Sequence, residues 1–186
     1  MGIRSDLRVR KAELADIGSL SAAPVDAPAS FVRDRLSRQL HGDGLLLVAL
    51  VENQFVGIAY LWLELAEEPE IRQYLPGVPL LTHLRVHPDF RRMTIGQALV
   101  AAVEAEAVRR GCGRLALAVD IDNVVAQQLY RCLQYEYWRH GVVKCENDVE
   151  LLGTGGFDLC HVMKKTLRDF NPAGRIPVPA PREPAA

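Results

Sequence analysis

The stretch from Leu84 to Gly96 reads Leu-Arg-Val-His-Pro-Asp-Phe-Arg-Arg-Met-Thr-Ile-Gly and commits the chain to a strand, a turn and a helix start in quick succession. Leu80 to Val86 is an apolar, β-favouring run. Pro88 has no N–H to give a ladder and so cannot extend that strand inside a sheet. From Ile95 the apolar positions Leu99, Ala102 and Val103 follow at +4, +7 and +8, one face of a helix. Glu106 and Arg110 form an i,i+4 pair on that helix, and Gly111 is suited to cap its end. A strand–turn–helix junction of this kind aims several backbone N–H groups and a helix N-terminus at one point, which suits a phosphate group.

The rest of the chain supplies a sheet for this junction. Leu7 to Arg10 alternates apolar and charged residues as a half-buried strand does. Glu13 to Leu20 and Ala29 to Leu40 read as helices, with Pro24 and Pro28 between them and His41-Gly-Asp-Gly44 closing the second. Leu45 to Val51 and Phe55 to Leu63 form a hairpin around Glu52-Asn-Gln54. Residues 64 to 79, with four glutamates (Glu64, Glu67, Glu68, Glu70) and three prolines, read as an irregular or short helical connection. Arg114 to Val119 is an almost unbroken apolar run, as in a strand buried on both faces. Asp122 or Asn123 can cap the next helix, whose apolar face is Ala126, Leu129, Tyr130 and Leu133. Tyr135 to Val143 and Leu159 to Leu167 are the last strands, and the Cys160 to Leu167 strand is a candidate sheet edge for a homodimer. The order predicts an α/β (α+β) fold: a mixed sheet of about seven strands with helices on both faces. Residues 1–170 read as a single domain. Residues 171–186 hold five prolines and little to bury, and read as an extended or disordered tail.

Composition narrows the function classes. A net charge of −1 gives no footprint for nucleic acid. No run of about 18 apolar residues exists to span a bilayer, and the N-terminus lacks a signal-peptide core, so a cytoplasmic location is expected. Cys112, Cys132, Cys145 and Cys160 contain no Cys-x-x-Cys pair and read as free buried thiols. The five histidines show no metal-ligand spacing, so no metal site is expected.

Two segments carry a family resemblance. Val86-His-Pro88 precedes Arg91-Arg-Met-Thr-Ile-Gly96, and one strand later come Asn123, Ala126, Leu129 and Tyr130. In order and content these resemble the two signature segments of the GNAT superfamily of acyl-CoA-dependent N-acetyltransferases. Those signatures have the form Arg/Gln-x-x-Gly-x-Gly/Ala after a Val-x-Pro, and Asn-x-x-Ala-x-x-Leu-Tyr-x-x-x-Gly-Phe. The chain departs from them twice: Thr94 stands for the first glycine, and Gln134-Tyr135 for Gly-Phe. A β-branched residue is a poor occupant of positive φ, so Thr94 is expected in ordinary helical or bridge-region geometry, its hydroxyl touching phosphate or capping the helix.

The resemblance implies a mostly antiparallel, twisted GNAT-like sheet and acetyl-CoA as co-substrate. It implies that Arg91, Arg92, Met93, Thr94, Ile95, Gly96 and Gln97 hold the pyrophosphate. Leu84, Arg85 and Val86 would pair with the pantetheine arm, and Asn123 and Tyr130 would flank it. Tyr130 is the implied general acid at the thioester sulfur. His83, Asp120 and Glu64 are the candidates for the base. The carboxylates at 64–70 and 146–150 would attract a cationic amine. The implied function is acetyl transfer to a primary amine of a small molecule or peptide by direct attack in a ternary complex. A protein N-terminal or lysine acetyltransferase, or a non-catalytic acyl-CoA-binding module, are the alternatives.

Overall fold

The computed structural model describes residues 7–23, 25, 27–146 and 156–167. The acidic loop with Asp148 and Glu150, and the Pro-rich tail from Asn171, lie outside the described residues. Seven strands form one sheet in the order β1-β2-β3-β4-β5-β7-β6. They are β1 Arg8–Lys11, β2 Gly44–Val51, β3 Gln54–Trp62, β4 Leu80–Val86, β5 Arg114–Asp120, β6 Glu136–Glu146 and β7 Phe157–Thr166. The helices are α1 Ile17–Ala22, α2 Ala29–His41, α3 Pro69–Tyr74, α4 Ile95–Arg109 and α5 Val124–Cys132. Every neighbouring pair of strands is antiparallel except β4–β5.

The predicted hairpin is β2–β3, closed by Glu52 and Asn53 with φ of 50° and 66°. Positive φ at both central residues gives the turn twist that matches paired strands. Both strands are buried on both faces. Leu46, Val48, Ile58 and Tyr60 pack under α1 and α2, whereas Leu45, Leu47, Ala59 and Leu61 pack under α4. The sheet therefore separates two cores, one per face. Gly57 is where α4 comes closest: a Cβ there would lie 3.0 Å from Leu99 Cδ1 and 3.1 Å from the Arg85 carbonyl.

Two expectations change. β7 is internal, between β5 and β6, so the Cys160 to Leu167 strand is not an edge; β6 is. Long strands returning late in the chain carry no local mark of which will be the outer one. The second change concerns the cysteines: all four are free, but only Cys160 is buried, and Cys132 is exposed.

Asp16 ties β1 to the first helical segment. Its carboxylate accepts from both guanidinium nitrogens of Arg10 at 2.6 and 2.8 Å and from the Glu13 N–H at 2.8 Å. The Arg10 hydrogen bonds hold the Asp16 carboxyl below its ordinary value of 3.8. A depressed folded-state value means stability that is present above the unfolded value and lost as pH falls through the folded one. Asp16→Asn is expected to cost about 1–2 kcal/mol at pH 7. Denaturant titrations should show the gap from the parent closing below the ordinary carboxylate range; a gap independent of pH would contradict this account.

Candidate active site

β4 and β5 run parallel and share one register pair, Leu80–Ala116, next to a bond from the Ala116 N–H to the Pro79 carbonyl. Beyond it the strands part. The result is a slot between residues 82–86 of β4 and the end of β5, with α4 and α5 on one side of the sheet and α2 on the other.

β4 carries a bulge at this slot. Thr82 pairs with Tyr60 and Arg85 with Ile58, so β4 spends one more residue than β3 over the same span. His83 takes up the excess with φ of 53°. A bulge reverses the alternation that follows it. Leu84 and Val86 pack on the α4 side, whereas Arg85 shares the α2 side with Thr82. The His83 ring tilts against Phe31 at 4.8 Å, with Nδ1 2.9 Å from Thr82 Oγ1. Strict alternation would have set His83 opposite Thr82; the bulge instead brings both to the face of α2.

The turn after β4 is built by His87, which sequence reasoning left without a role. Its N–H donates to the Val56 carbonyl at 2.9 Å, continuing the β3 ladder. Its Nδ1 accepts from the Asp89 N–H at 3.1 Å and caps the short 3-10 turn Pro88–Phe90. Arg91 Nε reaches back to the Val86 carbonyl at 3.3 Å. Arg92 and Thr94 then both adopt left-handed geometry, with φ of 62° and 65°.

Thr94 is thus a correction: it is neither helical nor in the bridge region, and its side chain does not cap α4. Its hydroxyl donates to the Met93 carbonyl at 2.5 Å. The junction needs a left-handed residue here, and tertiary packing imposes it on a β-branched side chain. Gln134, the other departure, likewise sits at φ of 68°. Both replaced glycines therefore keep the glycine backbone. Left-handed geometry costs an L-residue about 1–2 kcal/mol, so Thr94→Gly is expected to raise stability by about 1 kcal/mol, read by chemical denaturation. An unchanged midpoint would mean that the turn is not strained.

α4 begins immediately after this turn; the Ala98 N–H donates to the Thr94 carbonyl at 2.9 Å, and the N–H groups of Ile95, Gly96 and Gln97 precede the ladder of the helix. A Cβ on Gly96 would meet Leu129 Cδ2 at 3.5 Å and Val86 Cγ2 at 3.9 Å, so the helix start lies against both the end of β4 and α5. Met93 is exposed, while Ile95 is buried and anchors the turn. Gln97 follows in the first turn of α4.

On the far side of the slot, Asn123 caps α5, its side chain accepting from the Ala126 N–H at 3.1 Å. Asp120 ends β5. Its Oδ1 accepts from the Asp122 N–H at 2.6 Å, and its carbonyl accepts from Gln127 Nε2 at 2.9 Å. Tyr130 is 6% exposed and meets Tyr135 edge-on at 5.8 Å. Burial pushes the Tyr130 hydroxyl up, so it stays protonated at neutral pH. Glu64 is ion-paired with Arg38 of α2. The slot thus brings together Leu84, Val86, Gly96 and the α5 residues, with His83 and Arg85 on its α2 side; Glu64 is engaged by α2 instead.

The sequence model of the acetyltransferase (GNAT) family matches residues 18–135, more than half of the chain. An acetyltransferase of Pectobacterium atrosepticum is 41% identical over 54 residues, which is 29% of this chain and 38% of that protein. One of Sodalis glossinidius is 39% identical over the same shares. The chain thus aligns with about two fifths of the length of these relatives. Among solved structures, the PaiA N-acetyltransferase of Thermoplasma acidophilum in complex with coenzyme A superposes with a TM-score of 0.62 at 16% identity, covering 86% of this chain and 98% of that one. A phosphinothricin acetyltransferase of Sinorhizobium meliloti in complex with acetyl-CoA gives 0.64 at 17%, covering 87% and 89%. A ribosomal-protein-alanine N-acetyltransferase of Brucella melitensis gives 0.64 at 22%, covering 86% and 99%. At such identities the likeness shows a shared fold.

Proposed function

The chain belongs to the GNAT acetyltransferase family, and from that premise we propose that it transfers an acetyl group from acetyl-CoA to a primary amine. The observation that carries the reading is the slot itself: a parted β4–β5 pair with a left-handed turn and a helix N-terminus without a side-chain cap at its mouth. Backbone amides from Arg92 to Gln97 suit the pyrophosphate, and Arg91 or Arg92 adds a charge-assisted contact. The parted edge of β4 at Leu84 to Val86 offers main-chain partners to the pantetheine arm, and the amide nitrogen of Asn123 is left to donate from the far side.

In the reaction the amine nitrogen attacks the thioester carbonyl, and a β4 N–H near Val86 stabilises the oxyanion. The C–S bond then breaks, and the leaving thiolate takes the proton of the Tyr130 hydroxyl. The proton shed by the amine goes to His83. What supports His83 is its place on the bulged stretch of β4 beside the slot, whereas Glu64 is drawn to Arg38 of α2 and Asp120 turns its Oδ1 to the Asp122 N–H. The four unpaired thiols suit a reducing cytoplasm. The test is calorimetric titration with acetyl-CoA followed by thiol release with a panel of amines. Saturable binding and amine-dependent release are expected. No heat up to about 1 mM, a binding energy of only about 4 kcal/mol, would overturn the reading.

A further inference from the structure

On the α2 side of the slot lies a nearly buried cation that the fold alone leaves short of partners. The guanidinium of Arg35 is surrounded by three rings, Phe31 at 5.1 Å, Tyr60 at 5.0 Å and Trp62 at 5.2 Å. Its side chain is 11% exposed. An arginine carries five N–H donors. Arg35 Nε is fully buried with no hydrogen-bond acceptor among the described residues. Its ion pair is with the adjacent Asp34 at 3.2 Å, and that half-exposed carboxylate also serves Arg38 at 3.1 Å. Aromatic faces attract a cation but accept no in-plane N–H bond as a carboxylate does. The box is already filled by Arg35, so it is not a cage for a cationic ligand.

Phe31 links this cation to the slot. The same ring that stacks on Arg35 touches His83 and lies 5.8 Å from the Arg85 guanidinium carbon. The β4 bulge is what turns Arg85 to this face. Two guanidiniums thus converge on one ring beside the proposed base. An anion held there would lie on the α2 side of the slot, beside His83.

We propose that Arg35 and Arg85 bind a carboxylate carried by the acceptor, so that the amine substrate is an amino acid or a short peptide with its carboxylate close to the amine. This rests on the acetyltransferase reading and adds the substrate class. A planar carboxylate matches the fork of a guanidinium in two parallel hydrogen bonds, which an amide or an unsubstituted amine cannot provide.

The experiment compares alanine, methionine and glutamate with their α-amides and their α-decarboxylated amines as acceptors, at saturating acetyl-CoA. The α-carboxylate forms are expected to have kcat/KM at least about tenfold higher, carried by KM. Arg35→Met, which keeps the apolar stem among the rings, is expected to erase that gap while acetyl-CoA affinity stays within about twofold. Arg85→Gln provides an independent variant and should narrow the same gap. Turnover of all three forms at equal efficiency, or a gap that survives both substitutions, overturns the proposal and leaves acetyl transfer standing. Titration of N-acetylglycine against N-acetylglycinamide into the coenzyme A-loaded protein reads the carboxylate site without turnover. Preferential binding of the carboxylate, lost in Arg35→Met, supports the proposal, and equal or absent binding overturns it. Absence of acetyl-CoA binding altogether removes the acetyltransferase reading, and this proposal with it.

Discussion

Tyr130→Phe is expected to lower kcat by about 100-fold, the scale of a lost general acid, while acetyl-CoA affinity and melting temperature stay at parental values. The substitution deletes one oxygen and keeps the ring that packs edge-on against Tyr135 at 5.8 Å. Because burial drives the Tyr130 hydroxyl above its ordinary value near 10, it remains a proton donor across the neutral range. A raised value also fixes the sign of the pH effect: activity should not decline through Tyr130 ionisation until well into the alkaline range. Thiol release at saturating donor and acceptor measures this. Unchanged turnover in Tyr130→Phe would make Tyr130 a packing residue of the α4-side core and leave the thiolate to be protonated by water.

The largest expected loss of stability comes from Gly44→Ala. A Cβ there would stand 1.8 Å from Tyr60 Oη, 2.3 Å from Tyr60 Cζ and 2.9 Å from the Leu61 carbonyl. Tyr60 has no room to swing, being fully buried with Arg35 over its face and Trp62 edge-on at 6.2 Å. Forced overpacking of this sort costs about 3 kcal/mol, which for a chain of this size lowers Tm by about 6–12 °C. Tyr60→Phe moves the other way. Its hydroxyl is buried without a hydrogen-bond partner among the described residues, and burial raises its pKa to about 12. Removing an unsatisfied polar group is expected to gain about 1 kcal/mol. The two sites touch, so the double variant should recover more than the sum of the single effects. Strict additivity in calorimetric melts would show that the glycine is not pressed against the ring.

The hairpin β2–β3, helix α2, helix α4 with its Gly111 cap and the Asn123 cap of α5 were legible because each rests on local rules: period, turn residues, side-chain caps. The features that shape the slot were not. A histidine at positive φ in β4 has no sequence signal, since the extra residue is seen only against its partner strand β3. Thr94 departs from its expected geometry because intrinsic preference argues against left-handed threonine, while packing around the turn outweighs it. The Phe31–Arg35 pair has i,i+4 spacing, which puts both on one helix face but marks no site by itself. What gives the pair meaning is the position of β3 and β4 beneath it.

One consequence of the parted strands concerns the behaviour of the empty protein. An ordinary open sheet has two edges, whereas this one has four, because β4 and β5 each turn a free margin toward the slot beyond Leu80 and Ala116. Exposed margins of that kind are templates for strangers, and proteins usually blunt them with charge, proline or a covering helix. Here, among the described residues, β4 and β5 share no register pair beyond Leu80 and Ala116, and on the proposed reading that gap receives a guest that hydrogen-bonds like a strand. Such a guest would act as a seam as well as a reactant, joining the two half-sheets and withdrawing their margins from other chains. Light scattering should find the protein more prone to self-association alone than when saturated with coenzyme A.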